Sequence, residues 1–146
     1  MRITDLRIVV HERRMPAGTG PATLPLGVMT ISTDEGIEGH VFLSGPGTDV
    51  TQQLISVAKP MLLGRDPLDI GAIWHELGAA SRRFDPTVRG YVDIALWDIA
   101  GKAARLPVHR LLGSCRTRVP AYASSWVARG VVSSQSVATH PGLPDC

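Results

Sequence analysis

Lysine is nearly absent: the 146 residues hold only Lys59 and Lys102, and 13 arginines supply the remaining side-chain positive charge. Aromatics are scarce too, at 5% of residues, so no stacking platform for nucleic-acid bases is available. The arginines are scattered, with doublets only at Arg13-Arg14 and Arg82-Arg83. A net charge of +2 spread in this way makes no clustered basic footprint, and nucleic acid is not an expected partner. No apolar run approaches the roughly 20 residues of a membrane span. The opening "MRITDLRIVVHERR" lacks the pattern of a signal peptide. No membrane partner is expected, and the cytoplasm is the expected compartment. Cysteine is limited to Cys115 and Cys146, which argues against a disulfide framework and reads as two free thiols.

What is present suits one domain with a real core: 44% hydrophobic and 19% charged residues. Residues 3–12 alternate as a strand does, with Leu6, Ile8 and Val10 on one side and Asp5, Arg7 and His11 on the other. Residues 15–27 hold three prolines and three glycines without periodicity and read as a loop. "VMTIST" at 28–33 and "IEGHVFL" at 37–43 read as a hairpin closed by the turn "DEG".

After a second loop at 44–49 the period changes. Val50, Leu54, Val57 and Met61 fall at helical spacing, with Asp49 and Gln52 as a capping box and Pro60 expected to kink or end the helix. Asp66-Pro67 is expected to open a second helix with Ile70, Ile73, Trp74 and Leu77 buried, and Asp85-Pro86 a third. That third helix, to about Ala104, carries Val88, Val92, Leu96, Ile99 and Ala103 on one stripe. Ile94, Ala95, Trp97 and Ala100 make further faces apolar, as in a helix sandwiched between layers. Gly101, costly inside a helix, implies a second backbone close by. Asp98 and Lys102 form an i,i+4 pair on the polar edge that remains. "VHRLLG" is a short turn closed by Gly113, and "RVPAYAS" at 118–124 reads as one lone apolar strand. The order is an α+β fold: a three-stranded antiparallel meander, a helical subdomain, then a strand that belongs to neither.

No constellation for chemistry emerges. "WHELG" at 74–78 starts like a zinc-protease helix, but Ala79 stands where the second histidine is needed, so no metal ligands are assigned. "SGPG" and "GKAA" are not phosphate loops, and no Gly-x-Ser-x-Gly elbow occurs. The five histidines and the carboxylates are dispersed. No catalytic residue is assigned.

"VDIALWDIAGKAARLPVHRLLG" followed by "RVPAYAS" nevertheless resembles the end of the N-terminal domain in the enolase superfamily, on the mandelate racemase and muconate lactonizing enzyme branch. "TDEGIEGHVFL" resembles that domain's hairpin, and "LLGRDPLDIGAIWHEL" its helix connection. The resemblance spans residues 1–125. It implies a capping domain over residues 1–113, the first strand of a (β/α) barrel over 114–125, and an irregular tail over 126–146.

In intact relatives a barrel would follow as partner. The resemblance implies that its carboxylates bind magnesium to stabilise an enediolate, and that its lysine or histidine bases remove a proton alpha to a carboxylate. None of those residues has a matching position here, and two isolated lysines allow no Lys-x-Lys motif. This chain alone is therefore expected to bind no cofactor and is not expected to catalyse.

What carries over is capping. Residues 15–25, with Met15, Thr19 and Leu24, resemble the first loop closing over substrate. Residues 42–49, with Phe42 and Ser44, resemble the second specificity loop. The outer face of the third helix, with Ile94 and Trp97, is expected to form an apolar patch with Val119 and Tyr122. The alternative is a stand-alone interaction module that self-associates as a homo-oligomer or docks on a partner.

Overall fold

A computed structural model describes residues 1–14, 23–44, 48–80, 85–116 and 118. Three antiparallel strands, β1 (Ile3–Arg14), β2 (Thr23–Thr33) and β3 (Glu38–Ser44), lie in sequential order. The β2–β3 turn needs Gly36 at φ +76°, and buried Thr33 closes it by donating its hydroxyl to the Ile37 carbonyl at 2.8 Å. The period-2 pattern sorts the residues by face. Leu6, Met29, Ile31, Val41 and Leu43 point into the core, while Arg7, Val9, Val28, Thr30, His40 and Phe42 share the other face.

Strand β2 starts at Thr23, so residues 23–27 correct the expected loop. Pairing explains this. Pro25 lies opposite Glu12, but β3 reaches only as far as Leu26, which pairs with Ser44. At Pro25 the central strand is already an edge, where a missing N–H costs no ladder bond. Val10 corrects a second expectation, for it lies on the core face yet is 47% exposed. The β1–β2 ribbon runs past β3, and Val10 lies opposite Gly27, which offers no side chain to cover it.

The helices cover one sheet face. Residues 48–62 form a continuous rod of α1 (Thr48–Gln53), a π-helical turn (Leu54–Ala58) and α2 (Lys59–Leu62). Pro60 does not end it. The wider π turn, in which the Lys59 amide donates to the Leu54 carbonyl, takes up the extra residue just before the proline. Asp49 sits within the first turn rather than at the cap, because the helix already begins at Thr48. The rod docks on β1 through Gly64, whose amide donates to the Ile3 carbonyl at 2.9 Å.

Helix α3 (Ile70–Ala80) begins three residues later than Asp66-Pro67 suggests. The Asp66 carboxylate instead accepts from the Leu68 amide at 3.0 Å and closes a turn there. Helix α4 (Pro86–Ala104) starts as expected, with the Asp85 carboxylate accepting from the Thr87 amide at 2.8 Å. It ends at Arg105, and a short α5 (Val108–Leu111) is closed by Gly113 at φ +102°. A Cβ on Gly101 would stand 3.0 Å from the Leu106 carbonyl oxygen, so a second backbone does approach there.

Val88, Val92, Ala95, Leu96 and Ile99 of α4 join Leu54, Leu62, Ile73 and Leu77 in the core. Ala103 is exposed, beyond the reach of the sheet. Cys115 is disulfide-bonded, which corrects the free-thiol expectation. The strand expected over 118–124 and the tail from 126 lie outside the described residues, apart from exposed Arg118.

Candidate functional site

Two surfaces stand out, the upper edge of the sheet and the outer side of α4. At the sheet edge, Phe42 lies in β3, as the strand read over 37–43 expects and not in the 42–49 loop of the resemblance, because it pairs with Val28 in the ladder. Its ring is 56% exposed on the face away from the core. Val9 pairs with Val28 and Val28 with Phe42, so the three form one apolar row across the sheet. Leu24 also belongs to a strand, opposite Arg13, and Ser44 ends β3 opposite Leu26. Both were expected in loops; pairing with the neighbouring strand decides otherwise. Met15 and Thr19 lie outside the described residues. The fold therefore brings Leu24, Phe42 and Ser44 to the same end of one sheet.

A polar group borders the apolar row. Ser32 donates its hydroxyl to the Glu38 carboxylate at 2.9 Å, and Arg7 approaches the same carboxylate at 3.4 Å. The His40 ring meets the Thr30 hydroxyl at 3.1 Å. Beside them, Lys102 bonds the Asp98 carboxylate at 2.6 Å, and Asp98 also accepts from the His40 amide at 2.8 Å. Burial pushes the Asp98 carboxyl up, but the Lys102 and His40 hydrogen bonds and charges outweigh it and hold it below the usual range.

The outer side of α4 is a long groove. One cavity of about 790 Å³ lies between α3, α4 and α5, lined by Leu68, Ile70, Trp74, Trp97, Ala100 and Leu111 among others. A second of about 650 Å³ continues past Ile94, Trp97, Val108 and Leu112 toward His40. Asp93 and Trp97 line both. Ile94 is 52% exposed and Leu112 63%. The described half of the expected patch is thus present, whereas Val119 and Tyr122 lie outside the described residues.

Trp74, expected in the core, is 38% exposed. Its ring instead carries the Arg89 guanidinium, 3.3 Å from the ring centroid. Gly78 makes room for that arrangement: a Cβ there would stand 2.8 Å from Arg89 Nη1. Asp93 sits in this apolar setting with its carboxyl raised above the usual range by burial, against the opposing charge of Arg89.

Among the described residues, no three His, Cys, Asp or Glu side chains converge as metal ligands. Octahedral magnesium needs convergent oxygen donors, so the described residues do not fit that ion. Nor is any described helix long and apolar enough to cross a membrane.

Comparison with known proteins agrees with this arrangement. A D-galactonate dehydratase family member from Streptomyces bingchenggensis is 41% identical over 107 residues, which are 67% of this chain and 26% of that relative. A solved enolase-superfamily member from Polaromonas sp. JS666 superposes with a TM-score of 0.75 at 28% identity, covering 89% of this chain and 38% of that one. The 3,6-anhydro-D-galactonate cycloisomerase from Zobellia galactanivorans superposes with a TM-score of 0.67 at 25% identity, covering 77% and 32%. The chain thus spans about a quarter of the length of the curated relative it matches. The family model for the mandelate racemase / muconate lactonizing enzyme N-terminal domain matches residues 3–113, nearly all of the meander and helices described above, and the chain belongs to that family.

Proposed function

We propose that residues 1–113 act as the substrate-capping domain of an acid-sugar dehydratase or related isomerase, with 114–125 as the start of its barrel. In this reading the outer groove of α4 docks on the barrel. The upper sheet edge, with Leu24, Phe42 and Ser44 and the 15–22 segment carrying Met15 and Thr19, then lies over the barrel mouth. Magnesium and the proton-abstracting bases belong to the barrel, and this domain adds shape and water exclusion. The compartment is the cytoplasm.

The observation that carries the proposal is the outer side of α4. A helix whose core side is fully buried still presents Ile94 and Trp97 on its outer side, in an apolar groove that Leu112, just after α5, also lines. Fully burying such side chains is worth roughly 1.5–3 kcal/mol each, a large share of a domain's marginal stability.

The test is complementation. The chain is co-produced with the barrel portion of the Streptomyces bingchenggensis relative, stripped of its own N-terminal domain. Co-purification and magnesium-dependent dehydration of D-galactonate or D-mannonate are expected, and Ile94→Asp should abolish both. A barrel that ignores the chain would overturn the reading.

A second reading, a self-associating interaction module, is favoured by the separate apolar row of Val9, Val28 and Phe42. Sedimentation separates the two: Phe42→Ser would dissolve such an oligomer and leave barrel docking intact.

A further inference from the structure

Among the described residues strand β3 ends the sheet, and an edge strand offers unpaired N–H and C=O groups to any added strand. Two of those groups are already taken by side chains of α4. The His40 amide donates to Asp98 Oδ2 at 2.8 Å, and Lys102 Nζ donates to the Glu38 carbonyl oxygen at 2.6 Å. Alternate residues of a strand point their backbone groups to the same edge. The Glu38 carbonyl and His40 amide are therefore the pair that one residue of an added parallel strand would engage with its own N–H and C=O. Here an ammonium replaces that N–H and a carboxylate replaces that C=O.

The substitution depends on three features of the sequence. Asp98 and Lys102 are four residues apart, so their heads lie on one side of the helix and also bond each other, at 2.6 Å. Gly39 lies between the two engaged backbone groups, and a Cβ there would stand 2.1 Å from the Ala95 carbonyl oxygen and 2.7 Å from Ile99 Cγ1. Only a bare backbone lets β3 come close enough to α4. The side chains of the flanking residues are held as well, Glu38 by Ser32 and Arg7, His40 by Thr30.

We propose that Asp98 and Lys102 are positioning residues that take the place of a fourth strand. They close the β3 edge against strand addition and fix the course of the strand that ends in Phe42 and Ser44. The second effect matters for substrate only under the capping reading, on which that part of the inference rests. The plain alternative is an exposed i,i+4 ion pair that contributes little wherever it sits on a helix.

Exchanging the pair separates the two. Asp98→Lys combined with Lys102→Asp keeps opposite charges at i,i+4, but offers no acceptor to the His40 amide and sets a carboxylate against the Glu38 carbonyl. Native-state amide exchange of the full chain, resolved by NMR, reads the result. In the exchanged variant the His40 amide should exchange at least tenfold faster, while Val92 and Leu96 amides inside α4 stay within twofold. Lys102→Arg, which keeps a donor, should retain most of the His40 protection. Sedimentation should show added self-association only in the exchanged variant.

Unchanged His40 exchange in the swapped pair, or Lys102→Arg as open as the swap, overturns the proposal. Should the swap lose its native signal, Asp98→Ala gives the same reading without a charge set against β3: tenfold faster exchange at His40 supports the clamp, and no change removes it. Exchange is measured on the chain alone and complementation with a barrel. A protected His40 in a chain that restores no barrel would therefore leave the clamp standing and remove the capping reading.

Discussion

On its inner side α4 carries Val88, Val92, Leu96 and Ile99, none more than 1% exposed. On its outer side it carries Ile94, 52% exposed, and Trp97 in an open groove, with Asp93, the residue before Ile94, in the same cavity lining. Both sides are built of similar apolar residues, so composition does not separate them. What separates them is the neighbour. The sheet and the 48–62 rod cover the first, whereas among the described residues the second has only α3 and α5 at its margins. A helix apolar on both sides is made for the middle of a three-layer stack, and the described residues supply two of the layers.

The sharpest way to break this comparison is to truncate one residue on each side. Leu96→Ala should cost about 2–5 kcal/mol of unfolding free energy, because the buried void cannot collapse. Ile94→Ala should stay within about 0.5 kcal/mol, as an exposed position does, and should reduce self-association. Urea midpoints and sedimentation check both. Equal losses would mean that the outer side is already covered, and the two-layer description would fail.

A smaller loss, about 1–3 kcal/mol or somewhat more, is expected from Gly39→Ala, since overpacking forces backbone apart where it now touches. The contact is with the Ala95 carbonyl, which cannot rotate away as a flexible side chain would. Gly71, with open space around its Cβ position, is the control: Gly71→Ala in α3 should be neutral or stabilising. Thermal unfolding of the pair gives the difference directly.

The two carboxylates of α4 should titrate in opposite senses. Asp98 is held low in the fold, so its contribution is complete above the carboxylate's unfolded pKa and is lost as pH falls through its folded value. Asp93 is held high, so the fold loses stability as pH rises from its unfolded value through its raised one. Asp98→Asn should destabilise at neutral pH and converge with the unaltered chain in acid. Asp93→Asn should stabilise at neutral pH and converge in acid as well. Melting curves between about pH 2.5 and pH 7 decide it, and parallel curves for both variants would refute the assignment.

Much of this was legible beforehand because its cause is local. The 3.6-residue stripe located Val88, Val92, Leu96 and Ile99, and Asp85-Pro86 fixed where α4 begins. Gly101 announced a close backbone. The misses have non-local causes. Residues 23–27 are a strand because β1 pairs with them, although their own Pro and Gly read as loop. Trp74 fits a helical stripe, yet Arg89, brought alongside by α4, and the space at Gly78 draw it to the surface. Of the expected site, Phe42 already fell within the strand read over 37–43, whereas the pairing that draws Leu24 into β2 is not local. Asp98 and Lys102 were visible as a pair but not as partners of β3, since the contact joins residues about 60 apart in sequence.

The smallest effect concerns the end of α4, where the same helix leaves the core. Arg105 holds φ +53° in the left-handed region, and its amide donates back to the Gly101 and Lys102 carbonyls. The Leu106 amide also donates to Gly101, at 2.9 Å. Such a cap usually takes glycine, because any Cβ in that region crowds the backbone. The arginine side chain is exposed, so little packing is lost by removing it. Arg105→Gly should therefore relieve strain of about 1 kcal/mol, partly offset by the greater freedom of glycine in the unfolded chain. A net gain of roughly 0.5 kcal/mol is expected from these two opposing terms. Arg105→Ala, which keeps the Cβ, separates the causes: it should gain nothing if backbone strain is responsible. Equal gains for glycine and alanine would instead locate the cost in the arginine's charge, beside Lys102 and the cavity formed by Leu106 and Val108.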